Sequence, residues 1–120
     1  MAIAAVARDI AILAVTAAQD KLGQDIRALD VSQRLGIVDV FVLVSAANER
    51  QVGAIVDAIE ETLGRAGHKS GVREGGRDDP WVLLDFADVV IHVQHRDARA
   101  LYALDRLWKD CPELDLAVAP

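Results

Sequence analysis

The stretch from Val38 to Ala46 constrains the fold of this chain most, because it is apolar at nearly every position, with Asp39 as its one charged residue. A strand with one face in water would alternate apolar and polar residues, whereas a continuous apolar run is typical of a strand covered on both faces. The chain must therefore supply elements for both sides of this strand. At 120 residues it is long enough to do so as one domain with a sizeable core.

Two helices are predicted before and after this strand. Residues 3–22 carry apolar side chains at helical spacing and are followed by Gly23, which predicts an amphipathic helix with a C-cap glycine. Asn48, with Gln51 three residues on, predicts the start of a second helix, and Gly67 its end. The stripes expected to face the core are Val6, Ile10, Leu13 and Ala17 in the first helix and Val52, Ile55, Val56, Ile59 and Leu63 in the second.

Further short strands and a last helix complete the predicted order of elements. Strands are expected at residues 26–31, 69–75, 81–85 and 88–94, and the last helix from residue 96 or 97 to about 109. The order α-β-β-α-β-β-β-α predicts an α/β fold with a mixed β-sheet of about five strands and helices packed on it. We expect one domain over residues 1–112 and a flexible tail over residues 113–120.

Composition excludes some classes of function. The net charge of −6 argues against a nucleic-acid-binding protein, which needs clustered Lys and Arg, and suits a basic protein partner or a solubility role. Cys111, the only cysteine, indicates a reducing compartment. The apolar run 10–18 lacks a preceding basic segment and is too short to span a bilayer, so we expect a cytoplasmic protein.

The segment from Trp81 to Gln94 reads as a β-hairpin with two different faces. A symmetric turn at residues 86–87 would pair Trp81 with His92 and Asp85 with Asp88. One face then carries Val82, Leu84, Val89, Ile91 and Val93, and the other carries Trp81, Leu83, Asp85, Asp88, Val90 and His92. Opposed like charges weaken a hairpin unless a partner uses them, and a Trp beside a His suits an interface. Alternatively, a helix covers this face and the carboxylates cap turns.

The last helix carries a second candidate for partner binding. Leu101, Leu104 and Trp108 form one stripe, widened by Leu107, which we expect to face the core. Tyr102 points about 100° away from Leu101, so it is available for a partner or sits half-buried at the edge of the domain.

The sequence contains no assembled catalytic site. Asp85 and Asp88 could hold a divalent ion, but no Gly-Lys-Ser/Thr element is present to bind phosphates. His92 and His95 would converge on a metal only if the strand ended at residue 93. We therefore predict no catalytic, cofactor or metal site, and the alternative is a small metal-dependent nucleotide-handling enzyme that uses Asp85 and Asp88.

Several segments together resemble the Iojap-related ribosomal silencing factor family. The resemblance is strongest at residues 81–93 and 99–108, continues at 25–32, 37–39 and 48–52, and covers about residues 3–110 in order. Val38 and Ala46 depart from it, since the family usually has Thr and Gly there. The second carboxylate of active nucleotidyltransferases is also missing, because Phe41 stands two positions after Asp39.

The resemblance implies a nucleotidyltransferase-like fold used without catalysis. It also implies binding to the large ribosomal subunit through a basic ribosomal protein, number fourteen of the large-subunit series, on the intersubunit face. Such binding would block joining of the small subunit and repress translation under nutrient limitation, and some members form homodimers. The positions that match the family's docking surface are Trp81, Asp85, Asp88, His92 and Tyr102, with Leu83 and Val90 as neighbours.

Overall fold

The computed structural model describes residues 3–69, 72–76 and 79–116, and for Val72 the backbone alone. Its helices are α1 (Ala5–Asp20), α2 (Ser32–Leu35), α3 (Glu49–Arg65), α4 (Arg96–Tyr102) and α5 (Leu104–Leu107). Its strands are β1 (Gln24–Asp30), β2 (Val40–Ala46), β3 (Val72–Glu74), β4 (Trp81–Asp85) and β5 (Val89–His95). The predicted order of elements is confirmed, apart from the short α2 and the division of the last helix. Within the described residues, no helix is long and apolar enough to cross a membrane.

The strands form one mixed sheet of five strands, as predicted, and their order in the sheet is β1-β2-β5-β4-β3. The central strands β2 and β5 are parallel, and each of the other pairs is antiparallel. Every residue of β2 is buried, which confirms that this strand is covered on both faces. Of the strand predicted at 69–75, residues 72–74 are present, and residues 70 and 71 lie outside the described part.

The larger hydrophobic cluster lies between the sheet and the helices α1 and α3. All five predicted core residues of α3 are fully buried: Val52, Ile55, Val56, Ile59 and Leu63. The stripe of α1 is only partly as predicted. Ile10 and Ala17 are buried and Leu13 is half-buried, but Val6 is 45% exposed. Alanines such as Ala7, Ala11 and Ala14 take the inner positions instead, so α1 approaches the sheet through small side chains.

The ends of α3 are as predicted, whereas the end of α1 differs. Asn48 Oδ1 accepts a hydrogen bond from the Gln51 N–H at 2.9 Å, and Gly67 ends the helix with a φ of 90°. At α1 the left-handed residue is Leu22, with a φ of 63°, and not Gly23. Gly23 is required by packing, because an added Cβ would lie 2.8 Å from Val44 Cγ1.

The smaller hydrophobic cluster lies on the opposite face of the sheet, beneath α4 and α5. Its buried members are Leu29, Val31, Phe41, Leu43, Val90, Leu104 and Cys111, with Val38, Trp81, Leu83 and Trp108 packed against them. The predicted continuous last helix is wrong, because Ala103 is left-handed and separates α4 from α5. The predicted core stripe is only partly correct: Leu104 is buried and Trp108 packs against the smaller cluster, but Leu101 is 77% and Leu107 60% exposed.

The segment after Pro112 returns to the edge of the sheet. Glu113 forms an isolated bridge with Leu29, and the Leu114 N–H donates to the Ala28 carbonyl at 2.7 Å. Leu116 is buried against the larger cluster. Residues 113–116 are therefore packed and were wrongly placed in a flexible tail, because backbone pairing with β1 leaves no pattern in so short a segment. Residues 117–120 lie outside the described residues.

Candidate docking surface

The hairpin of β4 and β5 turns one residue later than predicted. The Phe86 N–H donates to the Val89 carbonyl at 2.9 Å, so the central turn residues are Ala87 and Asp88. Trp81 therefore opposes Gln94 and Asp85 opposes Val90, and the pairs Trp81–His92 and Asp85–Asp88 are wrong. The first central residue of a favoured two-residue hairpin turn has a positive φ. Ala87 adopts 67°, a conformation for which alanine gives no sequence signal.

The assignment of the core face is nevertheless correct. Moving the turn by one residue shifts each partner by two positions, and two positions along a strand return to the same face. The residues predicted for the core face, namely Val82, Leu84, Val89, Ile91 and Val93, are all fully buried in the larger cluster. Trp81, Leu83, Val90 and His92 share the opposite face, although α4 and α5 cover much of it.

The aromatic group expected at this face is assembled in spite of the different register. Trp81 Nε1 donates a hydrogen bond to His92 Nδ1 at 3.2 Å, which is a diagonal contact across the hairpin. The ring of Tyr102 lies with its centroid 4.7 Å from that of Trp81. Tyr102 is 54% exposed, and Trp81 is half-buried. These two side chains thus form an aromatic pair that faces outward at the junction of β4 and α4.

His92 supports this pair from below and is not itself a surface residue. It is 5% exposed, and burial lowers the pKa of its imidazole to about 4, so the ring is neutral at neutral pH. Because Nδ1 accepts from the indole, the ring proton is on Nε2, which has no hydrogen-bond partner among the described residues. Val90 is likewise buried, so the predicted docking positions Val90 and His92 lie beneath the surface.

The two aspartates of the hairpin are not opposed, and they make different local contacts, Asp85 through its carboxylate and Asp88 through its backbone carbonyl. Asp85 Oδ1 accepts a hydrogen bond from the Ala87 N–H at 2.8 Å and so stabilises the turn. The backbone carbonyl of Asp88 accepts from the Asp39 and Val40 N–H groups at 2.8 and 3.2 Å, which ties the turn to β2. Turn stabilisation, which the sequence left open, applies to Asp85. Both side chains are half-exposed.

Sequence reasoning missed two exposed residues of the same region. Leu101 and Leu107 lie on either side of Ala103, the break between α4 and α5 that we call the joint, and both are mostly exposed. They were assigned to the core because a continuous helix was assumed. We define the candidate docking surface, called the docking surface below, as the exposed and half-exposed residues of this region: Trp81, Leu83, Asp85, Asp88, Leu101, Tyr102 and Leu107. Trp108 packs inward instead, with its ring centroid 5.1 Å from that of Phe41.

The strand β5 continues to His95, so His92 and His95 do not converge on one site. His92 lies in the smaller cluster, whereas His95 Nδ1 accepts a hydrogen bond from the Asp97 N–H at 3.0 Å and caps α4. Across the described ranges of the chain, no group of three or more His, Cys, Asp or Glu side chains is arranged to hold a metal ion.

Comparison with known proteins places these features in a family. Residues 4–120 match the family described as ribosomal silencing factor during starvation. A ribosomal silencing factor of Bacillus subtilis is 38% identical over 104 residues, covering 87% of this chain and 88% of its own. The chloroplastic protein Iojap of Zea mays is 31% identical over 103 residues, covering 83% of this chain and 43% of its own. A crystal structure of a Chromobacterium violaceum protein superposes with a TM-score of 0.82 at 31% identity, covering 99% of this chain and 95% of its own. The chain belongs to the ribosomal silencing factor family.

Proposed function

We propose that this protein binds the large ribosomal subunit, blocks joining of the small subunit and so represses translation under nutrient limitation. Membership of the family supports a role in ribosome-associated translation regulation. The proposed partner is the basic ribosomal protein, number fourteen of the large-subunit series, on the intersubunit face. Occupying that face would exclude the small subunit sterically, which requires affinity and bulk but no chemistry.

The outward-facing pair of Trp81 and Tyr102 is the observation that carries this proposal. Large aromatic side chains that are held rigidly before binding are the residues most often found as energetic anchors of protein interfaces. The hydrogen bond to His92 holds the indole of Trp81 and uses its only donor, so Trp81 offers a partner its ring and not its N–H. The exposed leucines 101 and 107 add apolar surface on α4 and α5.

The charges of the docking surface suit a basic partner. Asp85 and Asp88 lie at one end of it, and the chain as a whole carries a net charge of −6. Complementary charges of this kind speed association and exclude wrong partners more than they add affinity. We therefore expect the aromatic pair to supply most of the binding free energy and the carboxylates to set the orientation.

Co-sedimentation with purified large subunits tests the assignment. Trp81→Ala is expected to weaken binding by roughly thirtyfold, equivalent to about 2 kcal/mol, because it removes a central aromatic anchor. Val6→Ala is the control, since Val6 is an exposed apolar residue of α1 on the other side of the sheet. Circular dichroism would verify that both variants are folded.

Two outcomes would contradict the proposal. If a folded Trp81→Ala protein co-sediments with large subunits as the unchanged chain does, the docking surface does not bind the large subunit. Sedimentation velocity of the free protein tests whether the chain forms a homodimer, as the family resemblance implies for some members. If Trp81→Ala abolished self-association and left subunit binding intact, this surface would be a contact between copies of the chain instead.

A further inference from the structure

The joint between α4 and α5 is closed by an ion pair that a continuous helix could not form. Arg99 lies in α4 and Asp105 in α5, six residues apart, with left-handed Ala103 between them. At 3.6 residues per turn, side chains six apart point in widely different directions and do not meet. The change of direction at Ala103 brings the carboxylate of Asp105 back to the guanidinium of Arg99.

The pair has the geometry of a fork. Arg99 Nε lies 2.7 Å from Asp105 Oδ1, and Arg99 Nη2 lies 2.9 Å from Asp105 Oδ2. Bidentate pairs of this kind fix both distance and angle. The remaining nitrogen, Nη1, donates to Ser45 Oγ on β2 at 2.9 Å. One guanidinium, with its residue only 8% exposed, thus holds α4, α5 and the sheet together.

The carboxylate of Asp105 is held in its charged form. The hydrogen bond from Arg99 is the largest influence that lowers its pKa, to about 2, and Arg27 Nη1 on β1 adds a second at 2.7 Å. Arg99 is almost fully buried, whereas the side chain of Asp105 is 28% exposed. Taking a guanidinium out of water costs free energy that its fixed pairing must offset, and such pairs are better attested as devices that set a specific geometry than as sources of stability.

We propose that Arg99 and Asp105 are positioning residues of the docking surface, and that their pairing sets the angle between α4 and α5 and holds Tyr102 against Trp81. Tyr102 is the last residue of α4, and the first residue of α5, Leu104, is anchored in the smaller cluster. Only Ala103 separates them, in a backbone conformation that costs a residue other than glycine roughly 1 kcal/mol. The inference rests on the proposed function of this surface.

Arg27 provides the matched comparison. It also pairs with Asp105, but its side chain is 36% exposed and it shares its charge with Glu113. It joins α5 to β1 and does not cross the α4–α5 joint. If the charge of Asp105 only stabilised the fold in general, changing Arg27 or Arg99 would affect subunit binding alike. If the pair positions Tyr102, subunit binding should depend on Arg99 and not on Arg27.

The experiment makes the same change at both arginines. Lysine keeps the charge but cannot form a bidentate fork. Arg99→Lys is expected to weaken co-sedimentation with large subunits about tenfold, and Arg27→Lys by less than twofold, since a lost charge-assisted hydrogen bond at the joint corresponds to roughly tenfold. Asp105→Asn, at a more exposed position, should behave like Arg99→Lys and guards against a folding defect at the buried arginine.

Near-ultraviolet circular dichroism reports on the aromatic pair without the ribosome. The contact of Tyr102 with Trp81 should give a signal that Tyr102→Phe alters, and that Arg99→Lys and Asp105→Asn reduce while Arg27→Lys preserves it. Folded Arg99→Lys and Asp105→Asn proteins with an unchanged signal and unchanged binding would overturn the proposal. If the unchanged protein does not co-sediment, the proposed function fails, and the dichroism still decides the positioning role.

Discussion

The two faces of the sheet are built differently. The larger cluster packs the sheet against α1 and α3, of 16 and 17 residues, and the side chains buried there are apolar. The smaller cluster lies beneath α4 and α5, of seven and four residues. The buried polar and charged side chains of the described chain, namely Ser45, His92, Gln94 and Arg99, all belong to this second side. One face thus buries apolar side chains, and the other also buries polar ones beneath the candidate docking surface.

The outer surfaces of these helices differ as well. On α3, charged side chains such as Glu61 and Arg65 pair with one another in water. On α4 and α5, the exposed side chains include Leu101, Tyr102 and Leu107. Exposed apolar groups of this kind are the feature on which the proposed docking role rests.

The largest expected effect is on the free energy of unfolding, and it tests whether the larger cluster contributes more to it than the smaller cluster. Ile59→Ala, at a fully buried position of α3, should lower the free energy of unfolding by about 4 kcal/mol, because it leaves a cavity in a tightly packed layer. Leu104→Ala, in the smaller cluster, should cost about 2 kcal/mol, since Leu104 is 9% exposed and less completely buried than Ile59. Urea denaturation measures both. Equal losses would mean that the two faces contribute alike.

A pH titration of stability tests the buried imidazole on the second face. The pKa of His92 is lowered to about 4 in the folded protein, whereas an unfolded histidine titrates near its ordinary value of 6.5. The unfolded chain therefore takes up a proton that the folded chain does not. The contribution of His92 is fully present above pH 6.5, declines as the pH falls and is lost near pH 4, on the order of 3 kcal/mol in all.

The variant His92→Gln isolates this contribution. Glutamine can still accept from the Trp81 indole but does not titrate in this range. The free energy of unfolding, followed from pH 7 to pH 4, should fall less steeply in the variant than in the unchanged protein. Parallel curves would show that His92 is not the group responsible.

The smallest predicted effect concerns Gln94, which is fully buried with neither side-chain amide atom hydrogen-bonded in the described structure. Leaving such a group unpaired costs about 1–3 kcal/mol, and an apolar side chain of similar size removes that cost. Gln94→Met should therefore raise the free energy of unfolding by about 2 kcal/mol. A less stable variant in urea denaturation would show that the amide is satisfied in solution, and the contrast between the two faces would be weaker than described.

The sequence was sufficient for the fold and for the faces of the hairpin. The periodicity of α3 and the unbroken apolar run of β2 each identify an element and its buried side. The contact between Trp81 and His92 was expected for a reason that proved wrong, because the pairing is diagonal. The face was still correct, since a change of two positions leaves the alternation of side chains unaltered.

The sequence did not predict three residues with a left-handed backbone, Leu22, Ala87 and Ala103. None of them is a residue type that favours this conformation. They end α1, set the hairpin register and divide the last helix. By itself, the sequence determined the core residues of α3 and of the hairpin, because burial there follows from local periodicity. Only the tertiary structure decided that Tyr102 lies against Trp81 and that Arg99 meets Asp105, because both contacts depend on a backbone turn imposed by packing around it.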